Sequence, residues 1–225
     1  MIIHDCKQGS REWWALRLGR VTVSRFSRII TAKKLDYSKG ARPFIAELLA
    51  EKLLGRPVDD RKVETMWTGR GTDMEAEARL WYSMYREVTV DEVGFITTDD
   101  GTIGGSPDGM VGDDGGVEIK CRSAKHHMEC VLGISDIADR LQVQGYLWLT
   151  GRPWWDVVAY NPDLPKKIVR TYQDPTVQVA IEKALDEFFV DMEKAEKALA
   201  AEGDVIDEDD ELLFQLIGSI KEGAS

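Results

Sequence analysis

Residues 104–121 read GGSPDGMVGDDGGVEIKC. Glycines and acids crowd the stretch, yet it divides into two short strand-like pieces, the second ending in Glu118, Ile119 and Lys120. SPDG is a turn signature, because proline presets φ, aspartate hydrogen-bonds its own backbone and glycine tolerates positive φ. In an extended strand Glu118 and Lys120 leave the same face about 7 Å apart, and Val117 and Ile119 take the other, apolar face. If Gly112 to Gly116 form the loop, Val111 pairs with Val117 and Asp108 with Lys120. Asp108, Glu118 and Lys120 then share one face.

Two readings of that face stay open. It is an exposed same-face ion pair of little energetic weight, or it is a metal site. Two carboxylates brought to about 4 Å repel by roughly 4 kcal/mol at an effective dielectric near 20. Lys120 offsets part of that, and a divalent cation offsets more. Carboxylate oxygens with a backbone carbonyl suit a hard ion such as Mg²⁺ or Mn²⁺ rather than zinc. Such an ion, held by Asp108 and Glu118, lowers the pKa of a water and stabilises charge developing on a phosphate, which is phosphodiester hydrolysis in outline. Glu75, in the GTDMEAEARLW run (71–81), is a third carboxylate on a helix that precedes the sheet.

Outward from this stretch the pattern is helical before it and mixed after it. Ser10 caps a helix through SREWWALRL, TVSRFSRII is a second helical run after Gly19, and Pro43 opens RPFIAELLAEKLL, which stops at Gly55. A longer helix spans about 66–86, with Met74, Ala78, Trp81 and Tyr85 at helical spacing. EVTVDEVGFITT begins a sheet, DDG (99–101) is a turn, helices resume at 125–132 and 135–150, and WWDVVAY and KKIVRTY are strands joined at NPDLP. Pro175 opens a last helix with one apolar stripe. The expected class is α/β or α+β, a central mixed sheet flanked by helices. We divide the chain into one domain over 1–201, with a basic helical part (1–62) and a core (63–201), followed by an acidic tail (202–225).

Composition bounds the function. The 225 residues carry a net charge of -11, but residues 1–62 hold fourteen Lys and Arg against seven Asp and Glu, a surplus of +7. Residues 202–211 carry seven acids and no base. A basic N-terminal surface and an acidic tail follow, so the average does not exclude a nucleic-acid partner. Three cysteines in no CxxC pair argue against a disulfide framework, and His4, His126 and His127 are too few and badly spaced for a zinc site. His126 and His127 are expected on a helix surface. No apolar run or leader points to a membrane or to secretion, and a cytoplasmic protein is expected.

Nine residues separate Asp108 from Glu118, and the set Pro107, Asp108, Glu118, Ile119, Lys120 resembles the PD-(D/E)XK nuclease motif. LRLGRVTVS (16–24), GTDMEAEAR (71–79), GSPDG (105–109), VEIKC (117–121) and LQVQGYLWLTG (141–151) also occur in the order seen in the phage lambda exonuclease family. The chain resembles a phage-type alkaline exonuclease over roughly residues 4–195.

The resemblance implies a restriction-endonuclease-like core and a 5′-to-3′ exonuclease that degrades one strand of linear duplex DNA and leaves 3′ single strand for recombination. It also implies two Mg²⁺ ions, with Mn²⁺ as a substitute, a ring-shaped homotrimer, a single-strand annealing partner, and a phage or prophage origin in a bacterial cytoplasm. Carried over by block, Asp108, Glu118 and the Ile119 carbonyl ligate metal, Glu75 reaches the second ion and Lys120 helps the attacking water. Arg17, Ser24, Ser106 and Gln142 receive the 5′-phosphate, with the choice between Gln142 and Gln144 open. The rivals are a PD-(D/E)XK endonuclease or repair nuclease, a non-catalytic DNA-end-binding recombination scaffold, and an interaction module built on the acidic tail and LLFQLIGSI. Iron–sulfur repair nucleases carry four cysteines, and this chain has three.

Overall fold

The computed structural model describes residues 1–58, 70–136 and 140–202. The acidic tail beyond 202 and the front of the predicted 66–86 helix lie outside them. In chain order the elements are β1 (Ile2–His4), α1 (Arg11–Arg17), β2 (Val21–Thr22), a 3₁₀ helix (Val23–Arg28), α2 (Ala41–Leu54), α3 (Arg70–Arg86), β3 (Val90–Asp91), β4 (Phe95–Thr97), β5 (Ile103–Gly105), β6 (Gly109–Val111) and β7 (Gly115–Lys120). Then follow α4 (Ala124–Val131), α5 (Arg140–Thr150), β8 (Trp154–Ala159), β9 (Lys167–Tyr172) and α6 (Pro175–Glu202).

Local chemistry accounts for the helix ends. Ser10 Oγ accepts the Trp13 N–H at 3.3 Å and caps α1. Gly55 ends α2 in the left-handed region at φ 62°, where a side chain would be strained. The run TVSRFSRII, expected as an α-helix, is a two-residue strand followed by the 3₁₀ helix. Its buried residues Val23, Phe26 and Ile29 recur every third position, which is the 3₁₀ period.

The strands form two mixed sheets where one was expected, a five-stranded sheet in the order β3-β6-β7-β8-β9 and a four-stranded sheet in the order β1-β4-β5-β2. In the larger, β7 and β8 are parallel and every other neighbour is antiparallel. Helix α3 covers one face of this sheet, placing Ala78 and Tyr82 on Val117, Ile119 and Val158. Helix α5 covers the opposite face, where Tyr146 stacks on Trp155 at 5.1 Å. A larger core cluster unites Phe26 of the 3₁₀ helix, Phe44 of α2, Leu141 and Leu147 of α5, and Phe188 of α6. Between the sheet and α3, fully buried Asp156 accepts from Tyr82 Oη at 2.8 Å and from Arg170 Nε at 2.8 Å. Its charge is therefore paired and hydrogen-bonded, as a buried charge must be.

The hairpin register differs from the expected one. Val111 pairs with Gly115, Met110 with Gly116 and Gly109 with Val117, leaving a three-residue loop with Gly112 at φ 53°. The shift of two residues carries Asp108 toward Glu118 rather than Lys120. Because strand faces alternate with a period of two, an even shift keeps all three side chains on the predicted face.

His127 corrects a second expectation. Only His126 is at the surface; His127 is fully buried and its Nε2–H donates to the Pro165 carbonyl at 2.8 Å. A carbonyl only accepts, so the contact fixes the tautomer. Among the described residues no helix is long and apolar enough to cross a membrane.

Candidate active site

The site is built on the end of β7 and the start of β6. Glu118 is 3 % exposed, and its Oε1 accepts from Lys120 Nζ at 2.6 Å and from Gln142 Nε2 at 2.8 Å. Lys120 Nζ also donates to Gln142 Oε1 at 3.2 Å, which closes a three-membered network between strand and α5. Glu118 Oε2 is buried without any hydrogen-bond partner. Asp108 Oδ2 accepts the Ile119 N–H at 2.6 Å, so the aspartate is fastened to the backbone between the other two site residues. On α3, half-buried Glu75 faces this corner closely enough that Asp108 and Lys120 both act on its charge.

Burial governs the electrostatics here. It pushes the Glu118 carboxyl up to about 8, with Asp108 adding to the rise and Lys120 opposing it. Burial also raises Asp108, against the Ile119 N–H, Lys120 and Arg79. It raises Glu75 too, with Asp108 as the next cause and Arg79 opposing. Three acids whose charged forms are all disfavoured, beside Lys120 and an Arg79 shared with Glu92, make a corner short of positive charge.

That shortage, the oxygen donors and the orphaned Glu118 Oε2 fit a hard divalent cation. Among the described residues no three His, Cys, Asp or Glu side chains converge into a ready-made cage. Asp108 and Glu118 come from the hairpin, and Glu75 comes from α3.

The four residues expected to receive the phosphate fall into three settings: Arg17 with Ser106, Ser24 apart, and Gln142 in the carboxylate network. Arg17 lies with its guanidinium over the Trp13 ring, 4.4 Å from the centroid, and burial pulls its pKa below the usual guanidinium value. The Trp13 indole N–H donates to Ser106 Oγ at 2.6 Å, and Tyr146 Oη donates to the Ser106 carbonyl at 2.8 Å. Arg17 and Ser106 are thus joined through Trp13, next to Pro107 and Asp108. Ser24 is exposed on the 3₁₀ helix, and its hydroxyl lies 3.5 Å from Thr22 Oγ1; among the described residues it shares no hydrogen bond with Arg17, Ser106 or Gln142.

The two glutamines of QVQ separate cleanly. Gln142 belongs to the carboxylate network, whereas buried Gln144 donates to the Tyr172 carbonyl at 2.8 Å and accepts from Asp174 N at 3.0 Å and Gln178 Nε2 at 2.8 Å. Gln144 is spent on joining α5 to β9 and α6.

Three residues of this neighbourhood escaped sequence reasoning. Arg79 donates Nε–H to the Asp108 carbonyl at 2.8 Å and pairs with Glu92 at 2.9 Å, tying the hairpin to α3. Its place four residues after Glu75, on the same helix face, is the signal that marks it. Trp13 and Tyr146 carry no motif that ties them to Ser106, and only their partners in the fold reveal it.

Residues 12–153 match the model of the YqaJ-like viral recombinase domain. Two crystal structures of the alkaline exonuclease LHK-Exo from Laribacter hongkongensis are similar to this chain. One, in complex with dAMP, is 30 % identical with a TM-score of 0.72, covering 86 % of this chain and 97 % of that one. The other is 28 % identical with a TM-score of 0.68, covering 85 % and 99 %. A phage-related exonuclease from Haemophilus somnus shares the fold at 16 % identity, with a TM-score of 0.52 over 75 % of this chain and 91 % of that one. No curated protein matches.

Proposed function

We infer that this chain, which belongs to the YqaJ-like viral recombinase family and with it to the phage-type alkaline exonucleases, is a metal-dependent 5′-to-3′ exonuclease acting on linear duplex DNA. One observation carries the reading most. Glu118 is an almost fully buried carboxylate with one oxygen held by Lys120 and Gln142 and the other unpartnered, beside a second, partly buried carboxylate, Asp108.

Asp108 and Glu118 would hold a Mg²⁺ ion, with Glu75 toward a second and Mn²⁺ as a substitute. When bound, the metal supplies Lewis acidity and lowers the pKa of water. The chain's own residues do the rest. Lys120, fixed by Glu118 and Gln142, presents a cation where the attacking water and the scissile phosphate meet. The Ile119 N–H holds Asp108 in one rotamer, so its free oxygen has a defined direction. Arg17, Ser106, Ser24 and Gln142 would receive the 5′-phosphate, Arg17 by the planar fork that suits phosphate oxygens.

One of the LHK-Exo crystal structures holds dAMP, a deoxynucleoside monophosphate. A product of that kind is what cleavage one nucleotide at a time from a 5′ end releases, and it supports the exonucleolytic reading. A 3′ single strand left for an annealing partner, and a homotrimeric ring enclosing the duplex, complete the proposal. Its test is digestion of linear 5′-phosphorylated duplex against closed circular DNA. Mononucleotides from the linear DNA alone support it, and nicking of the circle favours an endonuclease.

A further inference from the structure

We propose that Trp13 is a positioning residue for 5′-phosphate recognition, fixing both the hydroxyl polarity of Ser106 and the place of the Arg17 guanidinium. The inference rests on the assignment of Arg17 and Ser106 to the phosphate.

An indole N–H donates and never accepts. At 2.6 Å from Trp13 Nε1, Ser106 Oγ is therefore the acceptor, and its own proton is left free to be donated. Among the described residues no other group hydrogen-bonds that hydroxyl, while the Ser106 carbonyl is held separately by Tyr146 at 2.8 Å. The serine is thus anchored at both ends and offers a donor, which is the polarity a phosphate oxygen requires. Without the indole the hydroxyl rotates freely and presents lone pair or proton alike.

The face of the same ring carries Arg17 at 4.4 Å, an attractive cation–π contact. Among the described residues no carboxylate lies within ion-pair distance of Arg17, and Glu51 acts on its charge only from further off. Trp13 itself cannot wander. It is 3 % exposed, sits in the first half of capped α1, and is met edge-on by Trp14 at 5.0 Å. One rigid side chain thereby sets the geometry between a cation from α1 and a donor from the hairpin.

The experiment measures kcat and KM on linear duplexes ending in 5′-phosphate or 5′-hydroxyl, for the full chain and for Trp13→Phe, Ser106→Ala, the double variant and Arg17→Ala. Trp13→Phe keeps an aromatic face and loses the N–H. Its expected effect is a rise of about tenfold in KM for phosphorylated ends, the worth of one hydrogen bond to a charged group. The loss falls on KM more than on kcat and is larger for phosphorylated than for hydroxyl ends.

Because Trp13 acts through Ser106, the double variant should lose no more discrimination than Ser106→Ala alone. Should Trp13→Phe fold poorly, β-(3-benzothienyl)alanine at position 13 keeps the ring shape without the N–H and makes the same prediction. Unchanged discrimination in that isostere, or fully additive losses in the double variant, overturns the role of Trp13. If Arg17→Ala abolishes the preference while the isostere keeps it, Trp13 alone is refuted. If Arg17→Ala leaves the preference intact, the phosphate pocket itself falls.

Discussion

Glu118 sits where burial and charge meet. An acid whose folded pKa lies near 8, above its unfolded value of about 4.3, is protonated in both states at low pH and costs nothing there. As pH rises from about 4 through 8, the unfolded chain ionises freely while the folded chain resists, so this group's contribution to stability declines across that window. Holding Glu118 ionised at pH 6.5 costs about 2 kcal/mol, and a cation must supply it. Thermal unfolding between pH 5 and 9 should therefore show a Mg²⁺-induced rise in Tm that grows with pH and levels off above about 8. In Glu118→Gln the rise should be small and nearly flat. A Mg²⁺ effect independent of pH, or unaltered in that variant, would place the ion elsewhere. At this scale the sequence revealed Glu118, Lys120 and Asp108 because they lie within one hairpin. Arg79, Trp13 and the burial of His127 were hidden because each depends on a partner far along the chain: Asp108, Ser106 and Pro165.

The hairpin shows how an element survives an error in its own register. The expected five-residue loop is three residues long, since Gly112, Gly115 and Gly116 within five residues leave the turn position undetermined by local propensity. The period of two then kept the acids and the lysine together. Gly116 explains why the glycines are there: a Cβ at this position would lie 2.3 Å from the Trp155 ring, itself clamped by Tyr146. Gly116→Ala should destabilise by about 1–3 kcal/mol, read as a fall of several degrees in Tm, because a stacked indole cannot yield. An unchanged Tm would mean that the hairpin can move off β8. Strand β1 was not legible at all. Three residues, IIH, show no alternation, and only antiparallel pairing with β4, some ninety residues away, makes them a strand.

The whole molecule carries its charge unevenly, but less simply than the surplus over residues 1–62 suggested. Arg25 and Arg28 both pair with Glu47, and Arg25 lies 4.0 Å from Glu51, so they brace α2 against the 3₁₀ helix. Lys33, Lys34 and Lys39 are exposed and remain for a polyanion. The dependence of DNA affinity on salt separates these groups: Lys33→Ala or Lys34→Ala should make the slope of log K against log[salt] shallower by about 1. Arg25→Ala should lower Tm and leave the slope nearly as it was. A slope unmoved by either lysine would put the DNA on another face. The central claim is that this hairpin corner cuts DNA from its ends with a divalent ion. Its most direct measurement is mononucleotide release from linear 5′-phosphorylated duplex in Mg²⁺, with chelator and closed circular DNA as controls, for the natural chain and a folded Glu118→Gln variant. The account predicts release only from the linear DNA, only with metal, and at a rate at least 10² lower in the variant, roughly 3 kcal/mol in the barrier. Full activity in that variant would contradict it.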